Sequence, residues 1–264
     1  MDLGLNNKVV LVAAASKGLG FGIAMEAARE GAVVSIGSRS RKNINEAARQ
    51  IIEEVPGATI LPSELDVSSG TSISKWVQSS LDTFGSIDAL VVNGGGPSPG
   101  TFDELNDELW LSGYENTLMS AVRMIREALP EMRRKKRGSI LTITSSSVKE
   151  PIDNLLLSNV YRSGITSLVK SLSLQLGREQ IRINNLVPGF FDTDRLKELD
   201  RRNSGEWRLS LENVRRINFD RIPMGRYGRT DELGKAAVFL LSEAASYVTG
   251  ETFVIDGGKM RTVW

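Results

Sequence analysis

Residues 8–31, KVVLVAAASKGLGFGIAMEAAREG, constrain this chain more than any other stretch, because they read as a strand, a glycine-bearing turn and a helix. Lys8 to Ala14 is a short, continuous apolar run, the pattern of a strand buried on both faces. Phe21 to Glu30 has helical spacing and is closed by Gly31. Between them Ser16, Lys17, Gly18, Leu19 and Gly20 make a turn whose glycines let a ligand come close to the backbone. The helix that follows points its free N–H groups and positive dipole end at the same place, a seat for a pyrophosphate. A lone turn of this kind also fits an ordinary strand-to-helix connection, so the rest of the chain must decide.

The rest of the chain alternates. Apolar strands are expected at Val33 to Gly37, Ala58 to Asp66, Ile87 to Asn93, Ser139 to Thr144, Ile181 to Val187 and Thr252 to Ile255. Helices are expected at Asn43 to Val55, Ser72 to Phe84, 103–136 with an interruption near Ser112 and Gly113, Asn154 to Arg178, and 230–243. A polar, helix-prone segment runs from Thr193 to Asp220. Parallel neighbours need helical crossovers, so this order predicts an α/β fold: a doubly wound, Rossmann-type parallel sheet of seven strands. No linker-like stretch divides residues 1–264, which predicts a single domain. In such a sheet ligands bind beyond the carboxyl ends of the strands, where the glycine turns fall.

Composition narrows the chemistry. The chain has no cysteine and no histidine, which excludes disulfides, thiolate nucleophiles, sulfur metal sites and the commonest general base. No metal is expected, and proton chemistry falls to Tyr, Ser, Lys, Asp, Glu or water. Lys plus Arg, at 33, nearly balance Asp plus Glu, at 32, so no overall field recruits nucleic acid or an anionic membrane. No apolar run reaches the length of a membrane span, and the first fifteen residues lack a secretory pattern, so a cytoplasmic location is expected.

Ala14 to Gly20 (AASKGLG), Val92 to Gly95, Ile183 to Thr193 (INNLVPGFFDT) and the C-terminal IPMGRYGRTDELGKAAVFLLSEAASYVTGETFVIDGG together resemble the short-chain dehydrogenases/reductases. These segments are similar, in order and spacing, to that family's TGxxxGxG, NNAG and VNxxxPGxxxT motifs and its C-terminal region. Ala13 and Ala14 stand where Thr and the first Gly usually stand. The resemblance implies a nicotinamide cofactor. Ala14, Ser16, Lys17, Gly18, Leu19 and Gly20 would hold its pyrophosphate. Asp66 and Val67 would meet the adenine, Asn93, Gly94 and Gly95 would wall the ribose, and Pro188, Gly189, Phe191 and Thr193 would lie near the nicotinamide. At the end of the second strand Ser38 and Arg39 stand where an acidic residue would select NAD. With Lys17, Arg39 offers cations for a 2′-phosphate, so NADP(H) is expected to be preferred, with NAD(H) possible.

The same resemblance locates a departure. The family usually carries a Ser, a Tyr thirteen residues later and a Lys four beyond that, with an Asn on the preceding helix. Here Ser145 matches, but Ser158 takes the tyrosine position, Arg162 the lysine position, and Thr117, after Asn116, the asparagine position. A serine hydroxyl is a poorer acid than a phenol, and Arg162 can hold ribose hydroxyls but cannot relay a proton as lysine might. Tyr161 lies on a neighbouring face three residues after Ser158, so its phenol either supplies the proton or packs at a helix interface. Two function classes follow. One is an NADP(H)-dependent oxidoreductase interconverting a carbonyl and an alcohol, like the family's 3-oxoacyl-thioester reductases or sugar and alcohol dehydrogenases. The other is a nucleotide-binding homologue that has lost hydride chemistry and acts as a sensor or partner subunit.

Other features have plainer expectations. Arg133 to Arg137 (RRKKR) is expected to be a solvated helix end, with docking of an acidic carrier protein the alternative. Gly95 to Gly100 reads as a stiff turn at the mouth of the site. Residues 194–222 occupy the place of the family's substrate-covering helices. The resemblance further implies a homotetramer or dimer, with helices 103–136 and 154–178 and the C-terminal end, through Met260 and Trp264, as contacts.

Overall fold

The computed structural model describes residues 2–263. Seven parallel strands form one sheet in the order β3-β2-β1-β4-β5-β6-β7. They are β1 (Val9–Ala13), β2 (Val33–Ser38), β3 (Ile60–Glu64), β4 (Ala89–Val92), β5 (Gly138–Ile143), β6 (Ile181–Pro188) and β7 (Thr252–Ile255). Alternate side chains of β1 enter opposite cores. Val10 and Val12 pack with Ile23 and Ala27 of α1 (Gly18–Arg29), Ile44 of α2 (Arg41–Glu54) and Val238 of α9 (Thr230–Leu241). Val9 and Leu11 pack with Trp76 of α3 (Gly70–Phe84), Met124 of α5 (Ser120–Lys135) and Ile165 of α6 (Leu156–Leu176). Burial on both faces explains why the central strands β1 and β4 read as unbroken apolar runs.

Helices α1 and α9 meet at backbone contact. A Cβ on Gly22 would lie 2.5 Å from the Thr230 carbonyl oxygen, and one on Gly234 would lie 2.5 Å from the Gly22 carbonyl oxygen. This packing seats the amino end of α1 at the carboxyl edge of the sheet, beside the gap between β1 and β4 where the winding reverses.

The expected helix 103–136 is divided more sharply than its sequence suggests. After a short 3₁₀ turn come α4 (Asp107–Gly113), a π-helical segment at Tyr114–Met119, and α5. Gly113 permits the close approach: a Cβ there would lie 3.0 Å from the Tyr161 ring and 3.1 Å from Leu157. The next long helix begins at Leu156, after Asn154 adopts a left-handed conformation at φ +59°. The polar segment after β6 forms α7 (Asp194–Trp207) and α8 (Leu211–Asp220). Their small core of Leu196, Ile222 and Tyr227 is separate from the two main cores. No described helix is long and apolar enough to cross a membrane.

The basic run at the end of α5 is largely exposed, and its cations other than Lys136 are ion-paired. Arg133 pairs with Glu179, Arg134 with Glu131, Lys135 with Asp88 and Arg137 with Glu243. Arg133, Lys135 and Arg137 reach acids on other elements and Arg134 pairs within α5, while the run lies at the surface as expected of a solvated helix end.

Candidate active site

β1 ends where Ala14 turns into the left-handed region at φ +50°, followed by Gly18 at φ +63°. A Cβ on Gly20 would stand 2.5 Å from the Ala14 carbonyl oxygen and 2.8 Å from Asn93 Nδ2, so only glycine fits. Asn93 Nδ2 donates to the carbonyls of Ala13 and Ala14 at 3.2 and 3.4 Å, which ties the turn to the end of β4. Helices α2, α3, α4, α7 and α8 are each capped at their amino ends by a side-chain oxygen, from Ser40, Ser69, Asn106, Thr193 and Ser210. Helix α1 has Lys17 at that position, no side-chain cap, and no acidic residue in its first turn. Its leading N–H groups are thus available to an anion. Across the gap Gly94 and Gly95 leave open space: a Cβ on Gly95 would touch nothing within 4 Å, and one on Gly94 would only graze Val67 and the Asn116 carbonyl. An uncapped helix end facing a side-chain-free floor fits a dinucleotide.

The other expected cofactor residues gather around this crevice. Thr193 caps α7, and its methyl lies 3.6 Å from the point where a Gly18 Cβ would stand. Gly189 closes β6 against Asp256, 2.5 Å from its would-be Cβ, and Phe191 is buried against Gly228. Asp66 accepts from the Ser68 amide and hydroxyl, which hold its carboxyl below the usual carboxylate range, with Arg39's charge contributing. Arg39 is exposed and makes no ion pair among the described residues, whereas Arg41 pairs with Glu64. Lys17 pairs with Asp194 at 3.6 Å, so this cation already has a partner on α7. The GGPSPG turn is anchored as expected: the Gly100 amide donates to the Asn154 carbonyl, and Pro97 is buried near Gly113.

Beyond β5 the site holds three hydroxyls and a buried cation. Ser145 Oγ accepts from the Ser147 amide at 3.2 Å, and Ser158 Oγ lies 3.4 Å from Ser147 Oγ, with Ser147 and Ser158 both buried. Ser147, rather than Ser145, is the nearest hydroxyl partner of Ser158; a run of three serines at 145–147 gives no sign of which will face the helix. Arg162 is buried, and its Nη1 donates to the carbonyls of Ile143 and Thr144 at 3.0 Å each. Burial, with the neighbouring charge of Arg195, lowers its pKa to about 10, so it remains a cation at neutral pH. Thr117, on the π-helical segment, is buried with an Oγ1 that has no hydrogen-bond partner among the described residues. The Tyr161 hydroxyl donates to the Trp110 carbonyl at 2.8 Å, and its ring packs edge-on against Trp110. Burial raises the phenol's pKa. Of the two expectations for Tyr161, this geometry favours packing at a helix interface.

Fold and crevice together define a doubly wound dinucleotide-binding protein. A family model described as enoyl-(acyl carrier protein) reductase matches residues 13–259, and the chain belongs to this family, the short-chain dehydrogenases/reductases. Among its relatives is 3-oxoacyl-(acyl-carrier-protein) reductase FabG of Chlamydia trachomatis, 32% identical over 254 residues that cover 96% of this chain and 98% of that protein. The NADPH-dependent reductase BacG of Bacillus subtilis is 29% identical, covering 98% of this chain and all of BacG. The crystal structure of L-sorbose reductase from Gluconobacter frateurii, complexed with NADPH and L-sorbose, superposes with a TM-score of 0.95 at 30% identity, covering 100% of both chains.

Proposed function

We propose that the chain is an NADP(H)-dependent oxidoreductase that interconverts a carbonyl compound and its alcohol. The observation that carries this reading is the alignment of two features across one crevice: the uncapped amino end of α1, and the Ser158–Arg162 face of α6 with its cation buried behind the hydroxyls. The NADPH-dependent relative and the NADPH-bound neighbour support the cofactor. When bound, the cofactor supplies or accepts the hydride. The chain's residues do the rest. Arg39 is free to meet a 2′-phosphate, and Gly18 to Gly20 with the α1 amino end would hold the pyrophosphate.

Ser145 and Ser158 hold the carbonyl oxygen by hydrogen bonds in this reading, and Arg162 stabilises the negative charge that develops on it. A fixed cation in a half-enclosed site acts strongly on such a charge. Arg162 keeps its proton, so the proton reaches the oxygen through a serine hydroxyl or water rather than through the guanidinium. Tyr161 is a packing residue. The segment 194–222 covers the substrate, and the chain assembles as a homodimer or homotetramer through its long helices and β7.

Fluorescence titration with NADPH and NADH, followed by a screen of ketones, aldehydes and alcohols, tests the reading. Tight NADPH binding with turnover is the expected result. Tight binding with no turnover across the screen would favour the alternative of a nucleotide-binding homologue that has lost hydride chemistry, which the missing phenol at position 158 would then explain.

A further inference from the structure

We propose that Ser147 is a positioning residue for the reaction: its hydroxyl donates to Ser158 Oγ and so aims the Ser158 proton at the substrate's carbonyl oxygen. The inference rests on the carbonyl–alcohol reading above. Ser147 touches both of the hydroxyls that reading uses. Its amide donates to Ser145 Oγ at 3.2 Å, and its own Oγ lies 3.4 Å from Ser158 Oγ. Ser147 is 3% exposed and Ser158 7%, so bulk water does not compete freely for their contact.

The turn that carries Ser147 is held along its length. The Val148 amide donates to the Ser145 carbonyl, and the amides of Lys149 and Glu150 both donate to the Ser146 carbonyl. The Glu150 carboxylate accepts the Arg261 amide at 2.8 Å, which ties the turn to the chain beyond β7. Ser147 is therefore presented to α6 from a backbone that these bonds fix.

The other hydroxyls of α6 show what Ser147 does. A serine or threonine within a helix readily turns its proton back onto a carbonyl of the preceding turn. Ser163, Thr166 and Ser173 do so, at 2.6, 3.0 and 2.8 Å. Ser158 does not, and its Oγ faces Ser147 instead. With Ser147 as the donor, Ser158 accepts on one side and keeps its single proton for the crevice on the other. A hydroxyl that accepts a hydrogen bond is also the stronger donor, because chained hydrogen bonds polarise one another. The 3.4 Å separation is long for two hydroxyls, and it leaves room for the contact to tighten when a carbonyl oxygen draws on the Ser158 proton.

The test uses the NADPH-loaded protein. Its readouts are NADPH oxidation by the best ketone of the screen, starting from diacetyl and ethyl acetoacetate, and the calorimetric Tm. Ser147→Ala keeps the amide that serves Ser145 and removes only the hydroxyl behind Ser158. It is expected to lower kcat about 10- to 100-fold, while KM and NADPH affinity change by no more than about twofold. In the Ser158→Ala background the same substitution should cost nothing further in kcat or Tm, since Ser147 acts through Ser158. Ser146 is buried in the same turn, but its hydroxyl makes no hydrogen bond among the described residues, so Ser146→Ala should keep the parent kcat. An unchanged kcat in Ser147→Ala, equal losses in the two backgrounds, or the same loss in Ser146→Ala would overturn the proposal. Coupled Tm effects in a protein that binds NADPH but reduces no carbonyl compound of the screen would leave the hydroxyl pair standing and overturn the oxidoreductase reading instead.

Discussion

Arg162 Nη1 donates to the carbonyl oxygen of Thr144 at 3.0 Å, which locks the cation of α6 onto the last residues of β5. The bond is one part of a buried frame. Thr142 and Thr144 both donate to Asn185 Oδ1 at 2.9 Å, Asn185 Nδ2 donates to Thr166 Oγ1, and Thr166 Oγ1 donates to the Arg162 carbonyl. Asn185 of INNLVPG is therefore structural: it holds β5, β6 and α6 at the spacing that sets Arg162 behind the serines, while Asn184 ties β6 to Val248 and Glu251.

Keeping that cation buried costs stability. Its pKa falls from 12.5 to about 10 in the folded protein, so between those values the unfolded chain binds more protons. Relative to a neutral variant, stability therefore rises with pH through that window, and the penalty is complete at neutral pH, on the order of 3 kcal/mol. Arg162→Met removes the penalty but leaves the Ile143 and Thr144 carbonyls short of a donor, a cost of ~1–3 kcal/mol. The two offset, so the Tm of the cofactor-free variant is expected within a few degrees of the parent while turnover falls ~100-fold or more. A much larger drop in Tm by calorimetry would show that the guanidinium serves the fold first.

Proton delivery separates Ser158 from Tyr161. Ser158→Ala is expected to lower kcat/KM by ~10²–10⁴-fold. Tyr161→Phe gives up one hydrogen bond to the Trp110 carbonyl, about 1 kcal/mol of stability, and should keep most of the activity. Steady-state kinetics showing the reverse order would restore the phenol as the acid.

Cofactor selection is expected to depend on Arg39. Arg39→Ala should weaken NADPH binding about 10- to 100-fold and leave NADH nearly unaffected, since only the 2′-phosphate loses its partner. Equal affinities of the unmutated protein for the two cofactors would defeat this prediction.

Asp200 is the keystone of the segment 194–222. It is buried, accepts from the Tyr227 hydroxyl at 3.1 Å and from Asn218 Nδ2 at 3.1 Å, and faces Arg215 at 3.5 Å. Asp200→Ala should destabilise this segment by ~2–4 kcal/mol and raise substrate KM more than NADPH Kd. Burial pushes the Tyr227 hydroxyl up to about 12, so the folded protein keeps that proton after the unfolded chain has lost it near pH 10. Stability therefore falls from about pH 10 to 12, and Tyr227→Phe should flatten that part of the urea-denaturation profile.

Assembly has its own test. Leu111 is exposed on the short helix α4, Val160 and Leu174 on the long helix α6, and Phe253 and Val254 on the edge strand β7. Met260 lies near this end, with its amide bonded to Asp256, while Trp264 is outside the described residues. Light scattering at micromolar concentration should report a dimer or tetramer, and Leu174→Glu with Val160→Lys should shift it towards monomer.

The sequence alone determined the sheet, its winding and the cofactor turn. Those properties are written locally: unbroken apolar runs, glycines at fixed offsets and helix stops each act within a few residues. Through the family resemblance it also marked Ser145, Ser158 and Arg162 as one constellation, with Ser158 and Arg162 a turn of helix apart. What lies opposite that turn was decided only by the tertiary structure. Tyr161 is one residue from Arg162, yet its hydroxyl meets Trp110, which comes from a helix fifty-one residues earlier. Ser147 rather than Ser145 meets Ser158, because the short 3₁₀ turn after β5 rotates the run of serines. Arg133, Lys135, Arg137 and Lys17 found counter-ions on other elements, and Arg195 reached Gly96 with no ion pair among the described residues. Charge pairing and side-chain direction depend on distances between separate elements, and packing sets those distances only once the sheet has closed around its two cores.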